Sequence, residues 1–70
     1  MVTLTAVLHK EGRWYIAECP EIGTVSQGKS VKEAVENLKE ATELHLEEFP
    51  LKEKPTTQVV SFEVPVSATA

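Results

Sequence analysis

One stretch of the chain, residues 30–49, carries a complete helix signal, and no second stretch of this kind follows it. Ser30 and Glu33 have the spacing of a capping box, in which two side chains pair with free backbone N–H groups of the first turn. The apolar stripe that follows has helical spacing and consists of Val31, Ala34, Val35, Leu38, Ala41, Thr42, His45, Leu46 and Phe49. Pro50 ends the helix near Glu48. A single helix of this length can cover one face of a sheet and no more.

The segments around the helix alternate apolar and polar side chains with the period of β-strands. The predicted strands are residues 2–10, 13–19, 24–28 and 56–66. Three strands, one helix and a returning strand predict an α+β fold, a two-layer sandwich of order β-β-β-α-β. We expect residues 1–66 to form one domain and residues 67–70 to form a frayed tail.

The first two strands form a hairpin with apolar side chains on both faces. A turn at Glu11-Gly12 predicts a register in which Leu8 lies opposite Tyr15. One face then carries Leu4, Ala6, Leu8, Tyr15 and Ala17, and the other carries Thr5, Val7, His9, Trp14 and Ile16. A sheet face exposed to water should be polar. Because the helix covers only one face, we expect Val7, His9, Trp14 and Ile16 to form the interface of a homo-oligomer, a dimer or a tetramer.

Charge and cysteine content exclude several classes of protein. The net charge is −4, and all eleven acidic residues are Glu, a balance that disfavours electrostatic binding to nucleic acid. Cys19 is the only cysteine, so no disulfide can form within the chain.

The first residues lack the basic start and apolar block of a signal peptide, and no apolar run is long enough for a membrane span. We therefore expect a soluble, cytoplasmic protein.

Candidate catalytic and metal-binding residues are few. Cys19 could pair in space with His9 or His45, but a single Cys near a strand end is more often a small packing residue. The carboxylates of Glu36, Glu40, Glu43 and Glu47 follow one side of the helix. They could hold metal ions only by converging with partners from the sheet, and a solvated helix face is the favoured interpretation. We expect no catalytic residue, no metal and no cofactor.

A motif runs from the second strand into the helix: an aromatic strand, a Pro-Glu loop with a following Gly, a Ser-x-Gly strand, a Ser cap, and Glu-Ala steps along the helix. Its residues are Tyr15, Pro20, Glu21, Gly23, Ser26, Gly28, Ser30, Glu33, Ala34, Asn37, Glu40 and Ala41. In these residues and their spacing, residues 14–48 resemble the HicB family of antitoxin-like proteins.

The resemblance implies a partial RNase H-like fold without the catalytic carboxylates of RNase H. It also implies a role in a toxin–antitoxin system, because HicB proteins bind a small basic toxin, HicA, that cleaves mRNA, and they mask its active site. Many members add a C-terminal DNA-binding module. No such module follows the last predicted strand, so we expect no direct DNA binding.

Three hypotheses follow for the function. The first is a protein-binding domain that neutralises a HicA-like toxin and is not itself an enzyme. The alternative is a stand-alone structural oligomer without a toxin partner. A degenerate, metal-dependent RNase H-like nuclease that uses Glu residues is the third. The sequence does not identify the surface that would bind a toxin.

Overall fold

A computed structural model describes residues 1–53 and 55–67 and has the expected α+β class. The elements are β1 (Val7–Glu11), β2 (Trp14–Cys19), β3 (Thr24–Gly28) and α1 (Val31–Glu48). The strands form an antiparallel sheet of order β1-β2-β3, and α1 packs on β3 and β2. Within the described ranges, no helix has the length and apolar character that a bilayer crossing requires.

The register of the β1–β2 hairpin differs from the predicted one by two residues. Glu11 pairs with Trp14 and Leu8 pairs with Ala17, so the predicted pairing of Leu8 with Tyr15 is wrong. The two loop residues are Gly12 and Arg13, and Gly12 has φ +59°. A positive φ at the first loop position alone is the pattern of a type II′ turn, which favours Gly there. A slide of two residues preserves the side-chain alternation, so the predicted faces of the paired strands are confirmed. Thr5, predicted on the face opposite the core, instead lines the same cavity as Cys19 and Leu38.

Strand β1 begins five residues later than predicted because its first part makes different hydrogen bonds. Continuing the β1–β2 register places Thr5 opposite Pro20, which has no N–H group for the ladder. The backbone N–H of Thr5 instead donates to both carboxylate oxygens of Glu21, at 3.1 Å each. Residues 1–6 therefore lie beside the sheet without joining its ladder.

Helix α1 has the predicted bounds, and its cap is close to the predicted one. The Glu33 N–H donates to the Ser30 hydroxyl at 3.1 Å, while the Glu33 carboxylate accepts from the Lys29 N–H at 3.2 Å rather than from Ser30. The buried part of the stripe is narrower than predicted, because α1 crosses two of the three strands. Ala34, Leu38 and Thr42 are buried, whereas the side chains of Val31, Val35 and Phe49 are exposed.

The core lies between α1 and the face of the sheet that carries Ala17 and Cys19. Both residues are buried with Ala34 and Leu38. Partly buried apolar side chains surround these four: Leu4, Ala6, Leu8, Tyr15 and Ile22. The core of this chain is small, and its two largest members are Leu38 and Cys19.

The predicted fourth strand is not formed. Residues 56–67 have no regular secondary structure, and the sheet of the described chain has three strands. We call residues 59–66 the C-terminal arm. Its apolar side chains are 63–83% exposed, and the radius of gyration is 15.0 Å, whereas a compact domain of this length has about 11 Å. The expected strand is absent because the arm lies beside no strand that could pair with it. Of the predicted tail, residues 68–70 lie outside the described residues.

Candidate functional site

The catalytic candidates do not form a catalytic constellation. Cys19 is buried in the core, and its Sγ lies 3.5 Å from a carboxylate oxygen of Glu21. Burial raises the pKa of the Cys19 thiol, which keeps the thiol protonated and weakens it as a nucleophile. His9 lies 3.5 Å from Glu11, and the His45 ring packs on Phe49 at 5.1 Å. Among the hydrogen bonds of the described residues, none joins Cys19 to either histidine.

The four helix glutamates are exposed along α1 and do not converge with partners from the sheet. Within residues 1–53 and 55–67, no group of three or more His, Cys, Asp or Glu side chains is placed to hold a metal ion. The side chains of Glu36, Glu40, Glu43 and Glu47 belong instead to a larger acidic surface.

That acidic surface concentrates the charge of the protein on one element. Helix α1 carries six Glu and two Lys, all of them exposed, which gives it a formal charge of −4. This equals the net charge of the whole chain, so the rest of the sequence is formally neutral. We call this surface the acidic helix face; it consists of Lys32, Glu33, Glu36, Lys39, Glu40, Glu43, Glu47 and Glu48.

The loop part of the motif holds the N-terminal segment on the sheet. The carboxylate of Glu21 accepts from the Thr5 N–H and, at 2.7 Å, from the Thr5 hydroxyl. Hydrogen bonds from Thr5, with a smaller one from Thr57, lower the Glu21 pKa to about 2. Gly23 has φ +94°, which favours glycine, and its N–H donates to the Cys19 carbonyl at 2.7 Å. Glu21 and Gly23 thus hold the backbone of the N-terminal segment and of the loop in place. The sequence does not reveal this role for Glu21, because its partner Thr5 is 16 positions away.

The helix part of the motif forms the junction between β3 and α1. Gly28 is buried where the two elements cross: a Cβ atom there would lie 2.5 Å from the Ala34 nitrogen and 2.9 Å from the Glu33 carbonyl carbon. The side chain of Asn37 donates to the Gln27 carbonyl at 2.9 Å. The motif therefore requires glycine at position 28 and a side-chain donor at position 37 so that the strand and the helix can pack closely.

The surroundings of most other motif residues indicate a role in packing rather than in catalysis. Tyr15 is half-buried against the core, and the Lys10 ammonium lies 5.6 Å from its ring centroid. Ser26 and Ala41 are half-buried, and Glu40 is exposed on α1. Most of the motif thus determines the architecture, while its exposed members Glu33 and Glu40 belong to the acidic helix face. Two further surfaces that could bind a partner lie outside the motif.

The first such surface is the sheet face opposite α1, which we call the reverse face. Its rows across the strands are Val7–Glu18–Val25, His9–Ile16–Gln27 and Glu11–Trp14. Val7 is 45% exposed, Trp14 41% and Val25 58%, while Ile16 is half-buried and His9 is exposed. The structure brings the four predicted interface residues onto one face and adds Val25, which the alternation of β3 could have identified.

A second surface is a groove between the N-terminal segment and α1, which sequence reasoning did not identify. It is an open cavity of about 370 Å³ beside the core. We call it the helix groove; its lining residues are Met1, Val2, Leu4, Thr5, Ala6, Cys19, Val35, Leu38, Lys39, Thr42, Glu43 and Leu46. The lining is mostly apolar, and it forms because α1 does not extend over β1 and residues 1–6.

Comparison with known proteins finds a relative for part of the chain. No family model matches the chain, and no solved structure matches it. A UPF0150 protein of Helicobacter pylori strain J99 is 50% identical to this chain over 44 residues. The match covers 61% of this chain and 61% of the length of that protein. The chain is therefore similar to a UPF0150 protein over less than two thirds of either sequence.

Proposed function

We propose that this protein is a HicB-like antitoxin-type domain that binds a small, basic, HicA-like toxin and blocks its access to mRNA. The observation that carries the proposal is the motif of residues 15–41, which resembles that of HicB proteins in residue type and spacing. The UPF0150 relative supports the same assignment, because UPF0150 is a HicB-like family. In this proposal the chain inhibits an enzyme and has no catalytic residues of its own.

The acidic helix face is the surface we propose for the toxin. A toxin that binds RNA needs a basic face, and a concentrated negative surface attracts such a face and speeds the encounter. Glu36 and Glu40 lie at the centre of this surface and are exposed. Contact there would mask the toxin by occupying the positive surface that RNA requires.

RNA cleavage by a HicA-like toxin encoded beside this gene tests the proposal. We expect the wild-type chain to abolish cleavage at a stoichiometric ratio. The double variant Glu36→Lys/Glu40→Lys should weaken inhibition at least about tenfold, as loss of complementary charge does at steered interfaces. Glu11→Lys/Glu53→Lys makes the same change in net charge outside α1 and should still inhibit.

Two results would contradict the proposal. If a stoichiometric excess of wild-type chain leaves cleavage unchanged, the antitoxin role is wrong. If the chain itself cleaves RNA when magnesium or manganese is added, the nuclease hypothesis replaces it. Equal loss of inhibition in both double variants would reject the acidic helix face as the toxin surface and retain the general role.

A second proposed role, self-association through the reverse face, is favoured by the exposure of Val7, Trp14 and Val25 on one surface. Aromatic side chains at the centre of interfaces often dominate binding. Trp14→Ala is therefore expected to weaken self-association at least about tenfold while changing the stability of the isolated chain less than the 3–5 kcal/mol typical of a fully buried aromatic. Light scattering and urea denaturation measure the two effects. A monomeric wild type at high micromolar concentration would exclude this role.

A further inference from the structure

We propose that the C-terminal arm of one copy of this protein docks in the helix groove of a second copy, so that two chains exchange their arms. This interface is separate from the reverse face, and it overlaps the acidic helix face at Lys39 and Glu43 alone. It is independent of the proposed antitoxin function.

The C-terminal arm has the alternating apolar sequence of a buried strand, but its apolar side chains are exposed to solvent. Val60, Phe62, Val64 and Val66 alternate with Val59, Ser61, Glu63 and Pro65. Phe62 is 83% exposed, and the four arm valines at positions 59, 60, 64 and 66 are 63–83% exposed. Monomeric proteins rarely leave an apolar surface of this extent in water. The arm therefore needs a surface to cover it.

The helix groove offers the surface that such an arm requires. It is open and mostly apolar, and it lies along residues 1–6 and the adjoining side of α1. Strand β1 is at an edge of the sheet, and no strand of the described chain pairs with its outer side. An extended segment can place alternate side chains in an apolar groove and add hydrogen bonds along a free strand edge.

The exposed, extended course of the arm indicates a second copy rather than the same chain as the occupant of the groove. The side chain of Thr57 lies close to the Glu21 carboxylate. That carboxylate also accepts a hydrogen bond from the hydroxyl of Thr5, and Thr5 lines the groove. The arm thus starts at the groove of its own domain, yet its side chains beyond Thr57 stay exposed and the groove remains open. Because the arm leads away from its own domain, as the radius of gyration of 15.0 Å reflects, it can reach the groove of a second copy.

The exchange satisfies the requirements of a closed symmetric dimer. Each of the two contacts joins the arm of one copy to the groove of the other. A single two-fold axis therefore relates the two copies, both grooves are filled, and neither arm is left free. Phe62 alone can bury about 150–250 Å², and two arms of eight residues with their grooves reach the order of 1,600 Å² that standard interfaces bury.

The test measures the molar mass of the full chain by light scattering at micromolar concentration. We expect an assembly of at least twice the chain mass of 7.7 kDa. Phe62→Asp on the arm and Val35→Asp in the groove should each halve that mass and weaken self-association at least about 30-fold, as loss of a hot-spot side chain does. Circular dichroism of α1 verifies folding, and Leu46→Asp replaces Val35→Asp as the groove variant if the latter unfolds.

Matched controls add the same charge nearby without entering the contact. Ser61→Asp lies on the arm beside Phe62 but on its opposite side, and Val31→Asp lies one turn from Val35 on α1, outside the groove lining. Both variants should keep the wild-type mass.

Mixing the two disruptive variants distinguishes a second copy from other occupants. The Phe62→Asp chain retains an intact groove, and the Val35→Asp chain retains an intact arm, so an equimolar mixture should form dimers of mixed composition with one exchanged arm. The proposal is overturned if the wild type is monomeric, as it would be if each arm docked on its own chain, or if Phe62→Asp and Val35→Asp keep the wild-type mass. It is also overturned if the mixture has no greater mass than the separate variants, because an intact arm then does not enter the intact groove of another copy.

Discussion

At the scale of single residues, Gly28 determines how closely β3 approaches α1. A methyl group at this position would lie 2.5 Å from the backbone nitrogen of Ala34, and backbone atoms cannot move aside as a flexible side chain can. Gly28→Ala is therefore expected to cost about 3 kcal/mol of unfolding free energy, the upper part of the range for overpacked sites.

Gly12 provides the comparison for that measurement. A Cβ there meets no atom within 4 Å, but its φ of +59° disfavours other residues. Gly12→Ala should lower the free energy of unfolding by about 1 kcal/mol, because alanine disfavours this backbone conformation. Urea denaturation of both variants separates the two effects, and an equal cost at the two positions would show that close packing at Gly28 is unimportant.

The protein should lose stability at acidic pH because of Glu21. Hydrogen bonds from Thr5 lower its pKa in the folded protein to about 2 from an ordinary value of 4.5. Because the folded state favours the charged carboxylate, its stabilisation is complete above pH 4.5 and is lost as the pH falls toward 2. We expect the urea midpoint of the wild type to fall across this interval.

The variant Glu21→Gln should be less stable than the wild type at neutral pH and should lose less stability on acidification. Glu18→Gln, an exposed glutamate on β2, provides the matched control and should follow the wild type. A pH profile of Glu21→Gln that is parallel to the wild type would mean that the Thr5–Glu21 contact contributes nothing to stability.

At the scale of elements, β3 and α1 share a polar contact in the buried part of their junction. The hydroxyl groups of Thr24 and Thr42 lie 2.7 Å apart, and Thr42 is buried. Thr42→Val preserves shape but leaves the Thr24 hydroxyl without this partner, so we expect a cost of about 1 kcal/mol. In the double variant Thr24→Val/Thr42→Val both polar groups are removed, and its cost should be smaller than the sum of the single costs. Strict additivity in denaturation experiments would contradict the coupling.

The helix and the hairpin differ in how well local sequence predicts them. Ser30, Glu33 and Pro50 act within one or two turns, and the bounds of α1 follow from them. The hairpin register depends instead on which two residues form the turn. Gly12 is compatible with either turn position, and both registers place the same side chains on each face, so alternation does not distinguish them.

At the scale of the whole molecule, the core is small enough for one substitution to unfold the chain. Leu38 is 4% exposed and is the largest aliphatic side chain among the buried residues. Leu38→Ala should cost about 2–5 kcal/mol, while a domain of this length has a total stability of about 4–10 kcal/mol. We expect the variant to show a greatly reduced thermal midpoint. Val31→Ala on the exposed side of the same helix should stay within about 0.5 kcal/mol of the wild type, and a similar shift in both variants would contradict this assignment of the core.

The placement of the candidate surfaces follows partly from sequence. Helical periodicity predicts that the acidic residues of α1 are exposed, and strand alternation predicts that Val7, His9, Trp14 and Ile16 share a face. The helix groove could not be predicted, because it depends on α1 leaving residues 1–6 uncovered. The Glu21–Thr5 contact could not be predicted either, because it joins distant segments that no local pattern links.

The sequence alone determined the order of the first four elements, the ends of α1 and the two faces of the hairpin, because capping, periodicity and alternation act over a few residues. Only the tertiary structure decided the hairpin register, the late start of β1 and the open groove. It also decided that residues 56–66, despite their strand-like alternation, lie unpaired. Alternation shows which side chains would share a face, but a strand exists only where another strand accepts its hydrogen bonds, and that partner is a property of the assembled molecule.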